Sequence, residues 1–285
     1  MRAIKETDLI IKPDGSAFHI GLQPYQIPQR IIVVGDPERV QAVSKYFDTV
    51  EFTLNRREFV SHGGSYKGKK ILAISSGIGP DNVEILMTEL DALVNVDLKT
   101  RQPKPTPTCL TIVRVGTSGA LQIDIPVKTE LVSETAIGFD NLMNYYLLKQ
   151  ENDAMELATE IQQATGLTFR PYVASASQRL LTQIGFDMLK GNTLTCPGFY
   201  APQGRSVRLN IAYPNLLDDL TQFRFNHFKL SNFEMETASY YAFGKMLGHD
   251  MLSTNAILVN RAQNVMTNEG QAAIDGLIQK VLERI

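Results

Sequence analysis

The chain has 285 residues, of which 44% are hydrophobic and 20% are charged, and its formal net charge is -2. This composition is typical of a globular protein, and the near-neutral charge excludes long-range attraction to nucleic acid or to an anionic membrane. No apolar run approaches the roughly 20 residues that a membrane-spanning helix needs, and the N-terminus lacks the apolar stretch of a signal peptide. We therefore expect a soluble, cytoplasmic protein.

The predicted elements alternate along the chain. Strand-like apolar runs occur at 30–35, 70–75, 110–116, 129–138 and 255–260. Amphipathic helical patterns lie at 37–47, 82–94, 152–165 and 272–285. Short β-rich runs that alternate with amphipathic helices predict a mainly parallel or mixed α/β sheet covered on both faces. The linker-like segment 98–108, LKTRQPKPTPT, lies between a helix and a strand, and we interpret it as a surface loop within one domain.

The cysteines and histidines do not indicate a metal site. Cys109 and Cys196 stand far apart and outside any CxxC pattern, and the four histidines at 19, 62, 227 and 249 have no metal-ligand spacing. These residues predict neither a disulfide framework nor a bound metal, as is usual in a reducing cytosol.

Glycine-rich segments follow three of the predicted strands. In the first, GDPERV, Gly35 permits close backbone approach, Asp36 can cap a helix and Pro37 suits the first helical position. The segments 76–84, SGIGPDNVE, and 116–121, GTSGAL, have a similar character. A helix N-terminus at the carboxyl end of a strand is a common anion site. The glycine spacing matches neither the GxGxxG fingerprint of dinucleotide-binding proteins nor a P-loop, and this argues against a dinucleotide or a nucleoside triphosphate as the ligand.

Arg114 lies inside an otherwise apolar strand, TIVRVG. An arginine is rarely buried without a partner, so Arg114 either binds a phosphate or carboxylate ligand or forms an internal salt bridge. The residues alone leave both interpretations open. For Arg39, Arg56 and Arg57, solvated surface charge is the more common case.

Taken together, these segments resemble the nucleoside phosphorylase family that includes uridine and purine nucleoside phosphorylases. The resemblance begins near residue 17 and rests on ordered motifs, namely FHIGL, VVGDPERV, RREF, SSGIG, VRVGTSGAL, FEMETA and VNRAQ. It implies a single α/β domain with a central twisted, barrel-like mixed sheet flanked by helices. It also implies reversible phosphorolysis, in which phosphate attacks the anomeric carbon of a nucleoside. We accordingly divide the chain into an N-terminal arm, 1–16, and a catalytic domain, 17–285.

The resemblance assigns phosphate and sugar contacts. The positions that match phosphate ligands of the family are Gly35, Arg39, Arg57, Arg114 and Thr117. Of these, Arg57 matches an arginine that a neighbouring subunit supplies, and His19 matches a histidine that reaches the ribose across the same interface. Active sites shared within a dimer are therefore expected, and whether the assembly is a dimer or a hexamer of three dimers stays open.

The motif NFEMETASYY contains two glutamates separated by one methionine. In the family the positions of Met235 and Glu236 hold the ribose, with the carboxylate accepting hydrogen bonds from the 2′- and 3′-hydroxyls. We assign Glu234 a supporting role. Phosphate is already an anionic nucleophile, so the pair does not need to act as an acid and a base. The resemblance predicts catalytic roles for Glu236, Arg114 and Arg205.

The segment FYAPQGR resembles an insertion that reads the pyrimidine in uridine phosphorylases. Phe199 would pack against the base, Gln203 would pair with O2 and N3, and Arg205 would donate to O4. Asn260 stands about where purine-specific relatives carry an aspartate, and Arg261 is expected to help shape the same pocket. The resemblance thus favours uridine. Without it, a surface loop would be the more usual interpretation of this segment.

Phosphate is the expected co-substrate, and no cofactor is predicted. Bacterial relatives can hold a monovalent cation at the dimer interface through a glutamate that matches Glu58 and a serine near Asn82. That serine is absent here, which puts the ion in doubt. The alternatives that stay open are a purine nucleoside phosphorylase, a phosphate-independent nucleosidase of the same fold, and a catalytically silent nucleoside-binding protein.

Overall fold

The structure is a computed structural model that describes residues 3–285. Its strands are β1 (Arg30–Val34), β2 (Thr49–Arg56), β3 (Phe59–Tyr66), β4 (Lys69–Ser75), β5 (Val96–Asp97), β6 (Gln102–Pro103), β7 (Thr111–Ala120), β8 (Glu130–Gly138), β9 (Tyr172–Ser175), β10 (Leu189–Thr195), β11 (Asn232–Glu234), β12 (Asp250–Asn260) and β13 (Val265–Met266). Its helices are α1 (Pro37–Ser44), α2 (Pro80–Asn95), α3 (Asn152–Thr165), α4 (Gln178–Gln183), α5 (Leu216–Gln222), α6 (Thr237–Leu247) and α7 (Gly270–Arg284).

One mixed sheet organises the molecule, and part of it closes on itself. Its strand order is β13-β12-β8-β10-β11-β7-β1-β4-β3-β2, with β9 beside β8. Strand β12 pairs with β7 as well as with β8, so β7, β12, β8, β10 and β11 form a ring. Strands β1 and β4 extend the parallel part outward from β7. The predicted barrel-like mixed sheet is confirmed.

Helices cover the sheet as the sequence pattern predicts. The β1 residues from Ile31 to Val34 are fully buried because helices flank the sheet, as expected for a parallel strand. Helix α3 begins at Asn152, as predicted, and ends before Gly166, whose φ of 66° suits a glycine that terminates a helix. Helix α6 is buried on nearly every side between the sheet and α2. Among residues 3–285, no helix is long and apolar enough to cross a membrane.

The prediction that the glycine-rich segment GTSGAL follows the end of a strand is wrong, because β7 continues through it to Ala120. The partner strand β12 is long enough to pair with β7 from Asp250 to Asn260, and this pairing keeps the glycines extended. Gly116 instead leaves space for the side chain of Arg114. A Cβ on Gly116 would lie 2.0 Å from the Arg114 Nη1 atom.

The segment 98–108 is not irregular loop alone, because it contains β6, which pairs with β5 immediately before the segment to form a small hairpin. The backbone N–H of Ile4 donates to Arg101 O at 2.8 Å, and the Arg101 guanidinium donates to the carbonyls of Ile4, Lys5 and Leu9. The N-terminal segment is therefore fastened to this hairpin. The division of the chain at residue 16 stays a prediction.

Candidate functional site

A cavity of about 720 Å³ opens at the carboxyl ends of the central strands. The residues that line it and that the sequence singled out are Gly35, Asp36, Pro37, Arg39, Glu58, Asn82, Arg114, Thr117, Phe199, Gln203, Arg205, Glu234, Met235 and Glu236. The fold thus brings most of the predicted phosphate, ribose and base contacts together in one place.

The first segment after a strand forms one wall of the cavity. Asp36 caps α1 by accepting a hydrogen bond from the Glu38 N–H at 2.9 Å, and Pro37 occupies the first turn, as predicted. This arrangement places Arg39 one turn into the helix, with its side chain at the cavity. Burial, together with the nearby positive charge of Arg114, lowers the pKa of Arg39. Two cations therefore converge at this end of the cavity, as an anion-binding site requires.

Arg114 is ion-paired within the chain. Its Nη2 lies 2.5 Å from Glu236 Oε2 and 3.1 Å from Glu234 Oε2, and its Nη1 donates to Asn255 Oδ1 at 3.1 Å. It also donates to Ser253 Oγ at 3.4 Å. Its Nε is buried and has no hydrogen-bond partner among residues 3–285. Arg114 therefore satisfies the salt-bridge interpretation of the sequence, while its residue as a whole lines the cavity.

The two glutamates of the FEMETA motif are held differently. Glu234 accepts hydrogen bonds from the backbone N–H groups of Glu236 and Thr237, each at 3.0 Å, and from the Thr195 hydroxyl at 2.7 Å. These contacts fix the first turn of α6. Glu236 accepts instead from the Gly79 N–H at 3.0 Å, so it joins α6 to the start of α2.

The electrostatic setting of Glu236 is unusual for a carboxylate. Burial raises its pKa, and the negative charge of Glu234 adds to that effect. The guanidinium of Arg114 and the Gly79 N–H act in the opposite direction without cancelling it. An anionic Glu236 is therefore costly unless cationic or hydrogen-bonding partners face it.

The other end of the cavity carries the FYAPQGR segment. The Arg205 guanidinium carbon lies 3.9 Å from the Phe199 ring centroid, and its Nη1 donates to Phe199 O at 2.7 Å and to Gln203 Oε1. Burial, with a contribution from Arg261, lowers the pKa of Arg205 to about 10. Arg261 Nη1 lies 3.3 Å from Gln203 O, so it supports the backbone of this segment, as expected.

Two predicted contacts lie outside the cavity of their own chain. His19 Nδ1 lies 2.6 Å from Glu89 Oε1, and the same carboxylate accepts from the backbone N–H groups of His19 and Ile20. Arg57 is exposed in the turn between β2 and β3, with a φ of 53°. Their predicted roles in a neighbouring subunit stay predictions.

Asn260 is turned away from the cavity. Its Nδ2 donates to the carbonyls of Gln122 and Ile125 at 2.9 and 2.8 Å, and its Oδ1 accepts from the Gln263 N–H at 2.8 Å. The side chain is fully buried and holds the backbone around it. The geometry of Asn260 therefore lends no support to the argument about base preference that the sequence drew from it.

Several residues at or behind the cavity were assigned no role from the sequence, although Ser118, Phe233 and Gly79 lie in motifs that it singled out. Ser118 and Phe233 line it, while Asn255 and Gly79 contact Arg114 and Glu236 from behind. The strand register offered a signal for Asn255. Because β12 pairs with β7 so that Ser253 lies opposite Arg114, alternate residues of β12 face the same side as the arginine.

Comparison with known proteins supports one family. A uridine phosphorylase of Thermococcus kodakarensis is 28% identical over 265 residues, which cover 90% of this chain and 82% of that protein. A DeoD-type purine nucleoside phosphorylase of Alkaliphilus metalliredigens is 25% identical over 271 residues, covering 94% and 98%.

A solved structure of a Trypanosoma brucei nucleoside phosphorylase, described as showing uridine phosphorylase activity, is also similar. It aligns with a TM-score of 0.90 at 28% identity and covers 97% of this chain and 99% of that one. The family profile of the phosphorylase superfamily matches residues 29–283. Because this match spans nearly the whole sequence, the chain belongs to the phosphorylase superfamily.

Proposed function

We propose that the chain is a uridine phosphorylase, a pentosyltransferase that converts uridine and phosphate reversibly to uracil and ribose 1-phosphate. The observation that carries this proposal is the composition of the cavity. Arg39 and Arg114 lie at one end, Glu236 lies beside Arg114, and Gln203 with Arg205 lies at the other end. An anion, a sugar diol and a polar base match these groups in that order.

The cationic end of the cavity suits the nucleophile. Arg39, Arg114 and the donors of Thr117 and Gly35 would hold phosphate. Holding phosphate in line with the glycosidic bond converts a bimolecular attack into a positioned one. As the bond breaks, positive charge develops on the sugar. The phosphate and the Glu236 carboxylate then stabilise that charge in a buried setting.

The other end of the cavity suits a pyrimidine. Gln203 offers both an amide donor and an acceptor, and Arg205 can donate to a base oxygen on which charge accumulates as the base leaves as an anion. The Phe199 ring, which packs against the Arg205 guanidinium, provides an aromatic face for the base. Named relatives support this choice, because uridine phosphorylases of Thermococcus kodakarensis and Haemophilus influenzae match most of the chain.

A purine nucleoside phosphorylase is the second candidate, favoured by the similarity to DeoD-type enzymes. The Gln203 and Arg205 pair argues against it. A phosphate-independent nucleosidase would have little use for Arg39 and Arg114 at one end of the cavity. The same two residues argue against a silent nucleoside-binding protein, which needs only sugar and base contacts.

We further propose that the enzyme is cytoplasmic and that each active site is shared between two subunits, with His19 and Arg57 reaching a neighbour. The open side of the cavity carries Ile78, which is 68% exposed, and Phe199, which is 51% exposed. Apolar side chains at the mouth of a polar cavity suit coverage by another chain. Three such dimers would form a hexamer.

The test is uracil release from uridine with and without phosphate, with inosine and adenosine as parallel substrates. We expect release only when phosphate is present and poor turnover of both purine nucleosides. Equal rates on inosine would favour the purine enzyme, whereas release without phosphate would favour the nucleosidase. Tight uridine binding without turnover would indicate the silent binding protein.

A further inference from the structure

A chain of buried polar side chains crosses the barrel interior and begins and ends at the cavity. Its members, in order, are Arg114, Asn255, Ser133, Thr193, Asn232 and Ser118. The successive donor–acceptor distances are 3.1, 3.3, 2.6, 2.8 and 2.9 Å. The four inner members are fully buried, so each of their polar hydrogens needs a protein acceptor.

In the first half of this series of hydrogen bonds, the donor-to-acceptor direction is fixed. A guanidinium can only donate, so the Asn255 amide must turn its oxygen toward Arg114 and its nitrogen toward Ser133. The Ser133 oxygen therefore receives a hydrogen bond from Asn255. Its own hydrogen is left for Thr193 Oγ1.

The second half follows from the first. Thr193 accepts from Ser133, so its hydroxyl hydrogen must go to Asn232 Oδ1, and the Asn232 amide nitrogen then donates to Ser118 Oγ. If the Asn232 amide were reversed, the Thr193 hydrogen would have no acceptor among its described partners. Such an unsatisfied buried hydroxyl is costly.

The chain ends with a donor that faces the cavity. Ser118 lines the cavity and accepts from Asn232, and its own hydroxyl hydrogen has no acceptor among residues 3–285. All hydrogen bonds point away from the fixed positive charge of Arg114, and aligned hydrogen bonds of this kind polarise one another. The Ser118 hydroxyl is thereby set as a donor toward whatever the cavity binds.

Ser118 lies beyond Arg114 along β7, toward the carboxyl end of the strand. It follows Arg114 by four residues along β7, which corresponds to roughly 13 Å in an extended strand. A Cβ on the next residue, Gly119, would lie 3.0 Å from the Phe233 ring, and the Arg205 guanidinium faces the same ring at 5.4 Å. The backbone of β7 at Ser118 and Gly119 therefore borders the segment that carries Arg205, whereas the Ser118 side chain lies on the opposite face of the strand, the face of Arg114.

We propose that Ser118 is a specificity residue that donates a hydrogen bond to an acceptor oxygen of the nucleoside, and that the Arg114–Ser118 chain enforces this polarity. The proposal rests on the proposed nucleoside chemistry of the cavity. A carbonyl or ether oxygen satisfies Ser118. An amino group in the same place would face another donor and would be disfavoured.

The test combines two substitutions at opposite positions along the chain of hydrogen bonds. Ser118→Ala removes the terminal donor at the cavity. Thr193→Val breaks the chain in the interior, and it frees the Asn232 amide to turn and accept from Ser118. We expect each variant to raise the KM for uridine about 3- to 10-fold, because each loses one neutral hydrogen bond to the substrate. The KM for phosphate should change little.

The double variant separates the proposed role from a merely structural one. If Thr193 acts through Ser118, Thr193→Val should have no further effect on the uridine KM in the Ser118→Ala background. Thr193→Ser, which keeps the hydroxyl, should behave like the wild type. Thr165→Val removes another buried threonine hydroxyl, one that donates to Ile161 O within α3, and it controls for a general loss of stability. If Thr193→Val does not fold, Ser133→Ala breaks the same chain one position earlier.

Two results would overturn the proposal: an unchanged uridine KM in Ser118→Ala, or full additivity of the two substitutions. A wild-type chain that releases no uracil would instead refute the proposed phosphorylase function. The same variants are then compared by calorimetric binding of uridine and inosine, where a loss of affinity with the same non-additivity supports the role of Ser118. A wild type that binds neither nucleoside would overturn both proposals.

Discussion

Glu234 and Glu236 are separated by one residue, yet their surroundings give them different properties. The Glu234 carboxylate is occupied by the first turn of α6 and by Thr195, whereas Glu236 contacts a single backbone N–H and the movable end of Arg114. An arginine side chain can exchange one anionic partner for another, but backbone donors cannot. Glu236 is therefore the carboxylate that is available to a ligand.

This difference predicts the effect of Glu236→Gln. The amide keeps the shape of the side chain but removes the charge that would stabilise a cationic sugar, so turnover of uridine should fall about 100- to 1,000-fold. Arg114 keeps its ion pair with Glu234 at 3.1 Å, so the KM for phosphate should stay nearly unchanged. Steady-state kinetics with each substrate varied would check both parts. A variant that lost phosphate affinity and kept its turnover at saturation would contradict the assignment.

The raised pKa of Glu236 predicts a pH dependence of uridine binding. Burial raises this pKa above its ordinary value of 4.5, so the carboxylate becomes protonated at a higher pH than a free glutamate. Uridine affinity, measured by calorimetry without phosphate, should weaken as pH falls through the raised pKa. The contribution of Glu236 to the free energy of unfolding has the opposite sign. It is present below the unfolded pKa and is lost as pH rises through the folded one.

Glu236→Gln provides the control for this pH dependence, because an amide does not titrate in this range. Its residual uridine affinity should be flat on the acid side. If the variant weakens with falling pH as the wild type does, another group is responsible for the effect.

At the scale of elements, strand β7 contributes Arg114, Thr117 and Ser118 to the cavity, and its Gly116 leaves room for the Arg114 side chain. The Arg114 guanidinium lies directly over Gly116, where a Cβ would be 2.0 Å from Nη1 and 2.5 Å from Cζ. The arginine can thus lie along the strand and reach both Asn255 on β12 and the glutamates near α6.

Gly116→Ala should therefore displace Arg114 rather than unfold the barrel, since the end of a long side chain moves more easily than a paired strand. We expect the KM for phosphate to rise by at least about 10-fold, the effect of losing a charge-assisted contact, with a modest fall in melting temperature. Gly276→Ala, in α7, is the matched control, because its nearest neighbour is a side-chain oxygen 4.0 Å away. Gly276→Ala should leave activity unchanged. Equal phosphate KM values in the two variants would refute the role of Gly116.

The sequence predicted the elements with strong periodicity and missed those that depend on pairing. Apolar runs and amphipathic patterns located β1, β4, α3 and α7 within a few residues. Strand β11 has only three residues, Asn232–Glu234, and exists because β10 and β7 flank it. The continuation of β7 through GTSGA was missed for the same reason, because glycines are poor strand formers until a long partner strand holds them.

Within the candidate site, the resemblance to a family identified residues that the fold brings to one cavity, but it did not show their mutual contacts. Arg114 illustrates the limit, since its neighbours Asn255 and Glu236 come from elements more than a hundred residues away in sequence. Asn260 shows the converse. A residue that matched a functional position turned its amide to the backbone, because Gln122 and Ile125 needed donors there.

At the scale of the whole molecule, the cavity contains only part of the predicted site. Arg39 and Arg114 line it from their own chain, whereas Arg57 is exposed at the tip of the β2–β3 hairpin and lies outside it. A second subunit that places this hairpin at the mouth of the cavity would add a third cation to the phosphate end. The proposed dimer would supply this third cation.

Sharing of this kind creates an asymmetry that mutants can reveal. Arg57→Ala and Arg39→Ala should each be nearly inactive, because each homodimer loses one phosphate-binding charge from both of its sites. In a heterodimer of the two variants, one site lacks both arginines and the other lacks neither. A heterodimer purified with two different affinity tags should therefore recover roughly half of the wild-type activity per dimer, since one of its two sites is intact. Sites built within one chain would recover nothing, because every site would still lack one arginine. An inactive heterodimer of verified composition would thus show that Arg57 acts within its own subunit or not at all.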